Sequence, residues 1–484
     1  MNAQNPIVSN SPYANYLKSK SHDELVEISH IKRFLECLTG DPDFRNIIAT
    51  KKIPIKTLLV NRGLKLENIE SLRPIFDPDF THFRGSATIE TWPLAAKWDE
   101  YYKSISGALP YYLHIGDSDG EFKEFDNWRK NQVVRTLMDV GSAASFLIHP
   151  PISFELSDGC SVGCWFCGIS ASKFGGHFEA NEYGLDEWRS ILVSVKKILG
   201  RGMSTGFCYW ATEPLDHPDY VKFLKIYEDV VGVVPQTTTA IPLRDVKLTR
   251  DVLDLWKESK YVPNRFSVLS LSTMKKIHAE FTPEELLGVE LVMQGKGSTS
   301  PKSVAGRALS KPKRRDTSEE MQAGTIACVS GFLINLPKRT IRLVSPTLAT
   351  LECPDGYYVF ASETFSDPLE IEVIMRRMIH KEASREADSK QNIKLNKNYW
   401  VEKIGSQMSI RDKDFGMGMD MLNIMAPMLQ NGKHTPNDII KKTIKAGHDP
   451  LLSIKVMREL MAYGMAGDYL RPNITLAFDF VTVG

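Results

Sequence analysis

Residues 152–169 read ISFELSDGCSVGCWFCGI, an apolar run that enters a glycine-bearing loop carrying Cys160, Cys164 and Cys167. The run ISFELS (152–157) suits a buried strand, because aromatic and β-branched residues fit a packed pleated surface. Three thiolates on the short loop after it can hold three corners of a cubane iron–sulfur cluster, which leaves the fourth iron without a protein ligand. An open coordination position separates a reactive metal site from a closed structural one. Zinc is the competing metal. It wants four tetrahedral ligands, usually as two paired sets. Here the next candidate ligand is His177, ten residues past Cys167, and the chain has no second CxxC pair.

Outward from that loop the text alternates. Further strand-like runs are STGFCYW (204–210), GVVPQTTTAI (232–241), RFSVLSLS (265–272), TIACVSGFLINL (325–336) and RTIRLVSP (339–346). Helical stretches lie between the earlier ones, at 183–200, 218–231 and 249–259. Strand and helix in alternation imply an α/β domain with a parallel sheet and crossover helices, here over 151–365. The tract 296–320 is polar, basic and rich in Ser, Lys and Pro, and reads as a mobile surface loop or lid. Residues 1–20 are polar and read as loose. After Ser21, the residues Leu25, Ile28, Ile31, Phe34 and Leu35 recur at helical spacing, with Gly40-Asp-Pro as the stop. The expected organisation is a helical N-terminal domain (1–90), a helical connection (91–150), the α/β domain and a mainly helical C-terminal region (366–484).

The bulk numbers exclude several classes. The 484 residues carry a formal net charge of +1, so no basic excess points to nucleic acid or an anionic membrane. No apolar run approaches the ~20 residues of a membrane-spanning helix. The N-terminal twenty residues lack the basic start and apolar stretch of a secretory signal, so the expected location is the cytoplasm. Seven cysteines, three of them within eight positions, do not make a disulfide scaffold.

The CxxxCxxC spacing, Phe166 just before the last cysteine and the strand on its upstream side resemble the radical S-adenosylmethionine (SAM) superfamily. The resemblance implies a partial (β/α)6 barrel with a single 4Fe–4S cluster in the loop after its first strand. It also implies that the open iron chelates SAM and passes an electron into the sulfonium, giving a 5′-deoxyadenosyl radical. The segment Trp210-Ala211-Thr212-Glu213-Pro214 resembles the family's GGEP motif, which meets the SAM ammonium; Ala211 and Thr212 stand where the family has glycines. Without the resemblance, EPLDHPD is an ordinary helix-start turn capped by Asp216 or His217. Thr237 and Thr239 resemble the family's third-strand end near the ribose. Ser270 and Ser272 resemble the polar end of the fourth strand, where side chains two apart share a face.

A narrower resemblance rests on HIKRFLECLTGDPDFRNII (30–48), the cysteine segment, and 327–360 (ACVSGFLINLPKRTIRLVSP through CPDGYYVF). These are similar to the peptide epimerases of proteusin pathways, which implies L-to-D inversion at Cα in a ribosomally made precursor peptide. Inversion demands a hydrogen atom returned from the face opposite the one attacked, and a cysteine S–H is weak enough to supply it. Cys353, beside the Pro354-Asp355-Gly356 turn, is the first candidate donor. Cys328, inside an apolar run, is the second; a buried thiol there is ordinarily inert. Cys208 and Cys37 read as core residues. No cysteine follows Cys353 and no Asp-x-His-x-x-Gly cobalamin signature occurs, so one cluster and no cobalamin are expected.

The resemblance further implies a leader segment held by the N-terminal domain or the C-terminal helices, by helix-in-groove docking, and an electron donor such as flavodoxin or ferredoxin. The basic tract Lys311-Pro-Lys-Arg-Arg315 could attract an acidic leader or simply solubilise a loop. Two alternatives share part of this reading. One is another radical SAM peptide maturase, forming thioethers or C–C crosslinks or excising backbone; the other is a zinc-stabilised peptide-binding protein.

Overall fold

A computed structural model describes residues 6–300, 303–310, 322–383, 391–396, 399–411 and 416–467. The protein is a mixed α/β structure. Ser21 caps the first long helix, α1 (His22–Gly40), in a capping box with Glu24, as the sequence pattern requires. Ile31, Phe34 and Cys37 of α1 pack with Phe44, Leu58, Leu72 and Leu94 in a helical N-terminal core. The segment expected to be loose is not so from Pro12 onward: Ser11 caps a helix over Pro12–Ser19, and Tyr13 and Ala14 are fully buried. Its apolar residues were too few to dominate a polar stretch of text, but the cap and Pro at the first turn set the helix.

After α2 (Lys123–Val140) comes β1 (Ile152–Glu155). Its side chains alternate. Ile152 and Phe154 face helices, with Phe154 edge-on to Trp188 at 4.9 Å, while Ser153 and Glu155 face the other side of the sheet. Trp188 belongs to α3 (Glu182–Leu199), which packs with α4 (Tyr220–Val231) over that face. Then follow β2 (Thr238–Thr239), α5 (Val246–Ser259), β3 (Asn264–Val268), α6 (Leu271–Glu280) and β4 (Val289–Met293). Strands β2, β3 and β4 pair in parallel, and parallel bridges Ser153–Phe207 and Phe207–Gln236 connect them to β1. The opposite flank of β1 pairs in parallel with β5 (Gly331–Asn335). Antiparallel β6 (Thr340–Pro346) and β7 (Tyr357–Thr364) extend the sheet from there, and α7 (Glu370–Ala383) follows.

Several expectations change. The runs 204–210 and 232–241 shrink to a bridge at Phe207 and to Gln236 with β2, because residues 200–205 close into a 3-10 turn. Strand β4, GVELVM in the sequence, was not anticipated and supplies the flank beyond β3. Strand β5 returns to the free flank of β1 instead of following β4, so the six runs do not lie in simple sequence order. The C-terminal region joins a small sheet to its helices, and the sheet was not anticipated. Trp400–Ile404, Gln407–Arg411 and Gly416–Gly418 form an antiparallel sheet, turned at Gly405 (φ 62°). Helices Leu422–Asn431, Pro436–Lys445 and Pro450–Ala462 back it with a methionine-rich core of their own.

The tract read as a mobile loop splits. Residues 301–302 and 311–320, including Lys311–Arg315, lie outside the described residues. The part between them packs: Val304, Ala305 and Ala308 are buried. Polarity of composition hid three small apolar residues that flank Gly306 and Arg307, the two residues that touch the cysteine loop.

Candidate functional site

The loop after β1 carries the three cysteines away from the sheet. Cys160 bridges Lys173, and Gly159 (φ 73°) sits so close to the Lys173 carbonyl that a Cβ there would meet its oxygen at 2.2 Å. All three thiols are partly exposed and none is in a disulfide. Cys164 and Cys167 share a hydrogen bond, which draws Cys167 down to about 6 against the opposing effect of burial; the Ala171 N–H, 3.3 Å from its Sγ, and Arg307 act in the same downward direction. The same bond, with burial and the charges of Cys167 and Cys160, drives Cys164 up. Among the described residues no group of three His, Cys, Asp or Glu gathers tightly enough to hold a single ion. Ligands of one zinc must converge to about 2.3 Å from it, whereas a cubane presents a separate iron to each thiolate. His177 pairs in register with Ser157 and stacks its ring on His217, 4.7 Å between centroids.

Two residues hold this loop: Asp216, which the sequence suggested only as a helix cap, and Arg307, which it did not single out. Asp216 accepts from the Ser161 N–H (2.9 Å) and from Arg244 (2.7 Å). Arg307 donates its main-chain N–H to the Cys167 carbonyl (2.9 Å), Nη1 to the Cys164 carbonyl (2.9 Å) and Nη2 to the Ala171 carbonyl. Its neighbour Gly306 donates to the Pro354 carbonyl (2.6 Å), so one tight turn ties the cysteine loop to the loop of Cys353. A lone Arg in a basic tract gave no sequence signal for this role.

Glu213 is 3 % exposed and accepts from the Thr239 hydroxyl (2.6 Å) and the Ala240 (2.9 Å) and Leu215 (3.1 Å) N–H groups. Burial pushes its carboxyl up to about 7 despite those bonds, from an ordinary 4.5. The fold thus gains stability from the protonated form below pH 4.5 and loses it as pH rises toward 7. Glu213→Gln is expected to remove that loss, about 2–3 kcal/mol between about pH 5 and about pH 8. Urea melts of both proteins at the two pH values check it; parallel profiles would contradict it.

The Ala211 N–H donates to Glu155 (3.0 Å), which also accepts from Asn335 (2.9 Å). Pro214, also buried, opens a 3-10 turn over Pro214–Asp216. Thr212 and Phe166 are partly exposed, and Phe166 lies edge-on to Trp165 at 5.5 Å. Thr237 does not join them. It contacts the Tyr220 hydroxyl (3.1 Å), so it faces the helices, and with Thr239 and Asn264 it lines a small interior cavity. Strand alternation gives the other face to Gln236 and Thr238. Ser270 and Ser272 do not share a strand face either: β3 ends at Val268, Ser270 caps α6 through the Thr273 N–H (3.1 Å), and Ser272 is in the helix.

The two donor candidates diverge. Cys353 donates to the Tyr357 carbonyl (3.1 Å), and the charges acting on its thiol, after burial itself, are Asp355 and then Arg135 and Asp139 of α2. Cys328 packs in the cluster of Phe207, Tyr209, Trp210 and Leu333, which also takes in Tyr357 and Ile169 of the cysteine loop. Its neighbour Ile326 runs past the cysteine loop, where a Cβ on Gly168 would meet Ile326 at 2.7 Å. Burial pushes the Cys328 thiol up to about 12 against the pull of Arg265. The two thiols differ in their surroundings, which a tight turn near a strand end does not foretell.

No known family profile and no solved structure matches the chain. An uncharacterized protein of Sinorhizobium fredii, y4wI, is 39 % identical over 358 residues, covering 73 % of this chain and 70 % of that protein. With that identity over that share of both sequences, the chain belongs to the same family as y4wI.

Proposed function

We propose that the protein is a radical SAM peptide epimerase that converts L- to D-residues in a ribosomally made precursor peptide. The observation that carries the reading is one arrangement: a three-cysteine loop leaving β1, with Cys328 in the side-chain cluster of Phe207, Tyr209 and Trp210 that also takes in Ile169 of that loop; we read the Ser153 side of the sheet as its inner face. We read β1, Phe207, Gln236 with β2, β3 and β4 as the parallel wall of the partial barrel. Cys160, Cys164 and Cys167 would hold the cluster, with one iron left for SAM. When bound, these groups supply a 5′-deoxyadenosyl radical that removes Hα from the peptide. Glu213, fixed by Thr239 and two backbone N–H groups, would meet the SAM ammonium. Cys328 then gives its hydrogen atom to the opposite face: S–H breaks, a new Cα–H forms, and a thiyl remains. One electron and one proton, from a carrier such as flavodoxin or ferredoxin, restore the thiol. A thiol held at about 12 keeps the hydrogen that this step needs.

Anaerobic reconstitution with iron and sulfide, then reaction in D2O with a co-expressed precursor peptide, tests the reading. The expected result is a brown protein absorbing at roughly 400 nm and one deuterium at each inverted Cα without other mass change. A net loss of hydrogen would assign crosslinking instead. A colourless protein with stoichiometric zinc would assign the binding module.

A further inference from the structure

The inner face carries a polar row that neither the cysteine loop nor Cys328 explains. Thr238, Arg265 and Glu290 are register partners on β2, β3 and β4, so their side chains stand side by side. Arg265 Nε donates to Glu290 Oε2 at 2.7 Å, and both side chains are half exposed, 51 % and 54 %, which makes this an open cleft. Thr238 donates to the Tyr209 hydroxyl at 2.8 Å, and Tyr209 in turn donates to Gln236. The Arg265 charge acts on both Tyr209 and Cys328. Among the described residues the guanidinium has one partner, Glu290, at Nε. Nη1 and Nη2 are left for something else.

A charge pair on an inner sheet face is no stabilising necessity, since apolar residues of similar volume usually do as well there. The unused edge of a guanidinium is a fork for oxygen acceptors. Glu290 already neutralises Arg265, so a second carboxylate in the cleft would face repulsion, while a neutral carbonyl would not. We infer that Arg265 is a binding residue for a main-chain amide carbonyl of the peptide, setting the Cα beside Cys328. This rests on the reading of a peptide substrate given above. A site that grips backbone accepts differing side chains at the bound position.

The test uses the full chain with N-acetyl-trialanine amide, a probe that has backbone carbonyls and no side-chain function, and with N-acetylaspartate amide and SAM. Nuclear magnetic resonance titration is expected to show the trialanine amide bound by wild type and weakened about ten- to a hundredfold in Arg265→Met, the size of one lost hydrogen bond to a charged group. Arg265→Lys should fall between, and SAM affinity and thermal melting should match wild type. With precursor peptide, KM should rise for every modified position while kcat changes little. Equal binding of trialanine amide by Arg265→Met, or none by wild type, overturns the inference. Preference for N-acetylaspartate amide overturns the carbonyl assignment, and loss of SAM binding alone moves Arg265 to the cofactor. If trialanine amide binds through Arg265 yet wild type never forms a D-residue, the epimerase reading falls and this site stands.

Discussion

Cys328→Ala is expected to cleave SAM and exchange nothing useful: the peptide radical forms, but the yield of D-residues drops on the order of a hundredfold or more, the scale of losing one positioned hydrogen donor. The reason is geometric. Cys328 lies on the inner face with Tyr209 and Trp210, on a segment that passes the cysteine loop at Ile326 and Gly168. No solvent molecule replaces a fixed S–H at a chosen face. Cys353→Ala is the paired measurement and should retain most of the inversion, because that thiol is spent on the Tyr357 carbonyl. Chiral amino-acid analysis of hydrolysed product, beside counts of 5′-deoxyadenosine released, reads both variants. Full inversion by Cys328→Ala with none by Cys353→Ala would restore the order that the sequence suggested.

The surroundings of these two thiols show where sequence reading stops. The strand before the cysteines, the cap at Ser21 and the amphipathic helices α3 and α4 were legible because local periodicity and capping chemistry decide them. The pairing of Glu213 with Thr239 was half legible: both residues stood in quoted motifs, but only tertiary structure brings them to 2.6 Å. Faces were harder. Thr237 and Thr239 were read together as neighbours of a ribose, and the structure gives them different partners, Tyr220 for Thr237 and Glu213 for Thr239. Ser270 and Ser272 looked like strand residues because RFSVLSLS alternates, yet a serine before a helical stretch caps it, and the helix won. The C-terminal sheet was missed since WVEKIGSQMSI is short and its pattern sits among helices. Arg307 and Arg265 could not be found at all from sequence, because their partners lie far away along the chain.

On the proposed cluster reading, Gly306→Val should abolish cluster loading without unfolding the protein. Gly306 has φ of 56°, a conformation that a β-branched residue adopts only under strain of about 1–3 kcal/mol. A Cβ there would also stand 2.3 Å from the Cys167 carbonyl oxygen and 2.6 Å from the Gly168 carbonyl carbon, both backbone atoms with no rotamer to escape into. Something must shift, and the exposed cysteine loop is the softer side, since Gly306 is anchored at 2.6 Å to the Pro354 carbonyl and Arg307 grips the loop only by hydrogen bonds. Moving Cys167 relative to Cys164 and Cys160 breaks the spacing that three corners of one cube require. Iron and sulfide content after reconstitution is expected to fall about tenfold or more, since each 1.4 kcal/mol of misfit is a factor of ten in binding. Cys164→Ala should behave alike, and Gly306→Ala should lie between it and wild type. Far-ultraviolet circular dichroism should stay close to wild type in all three, because the buried sheet and helices do not pass through this turn, and the urea midpoint of Gly306→Val should fall by no more than that strain. A Gly306→Val protein that loads a full cluster would mean that the cysteine loop holds its own shape, and the clamp formed by Gly306 and Arg307 would then have no part in presenting the three thiols.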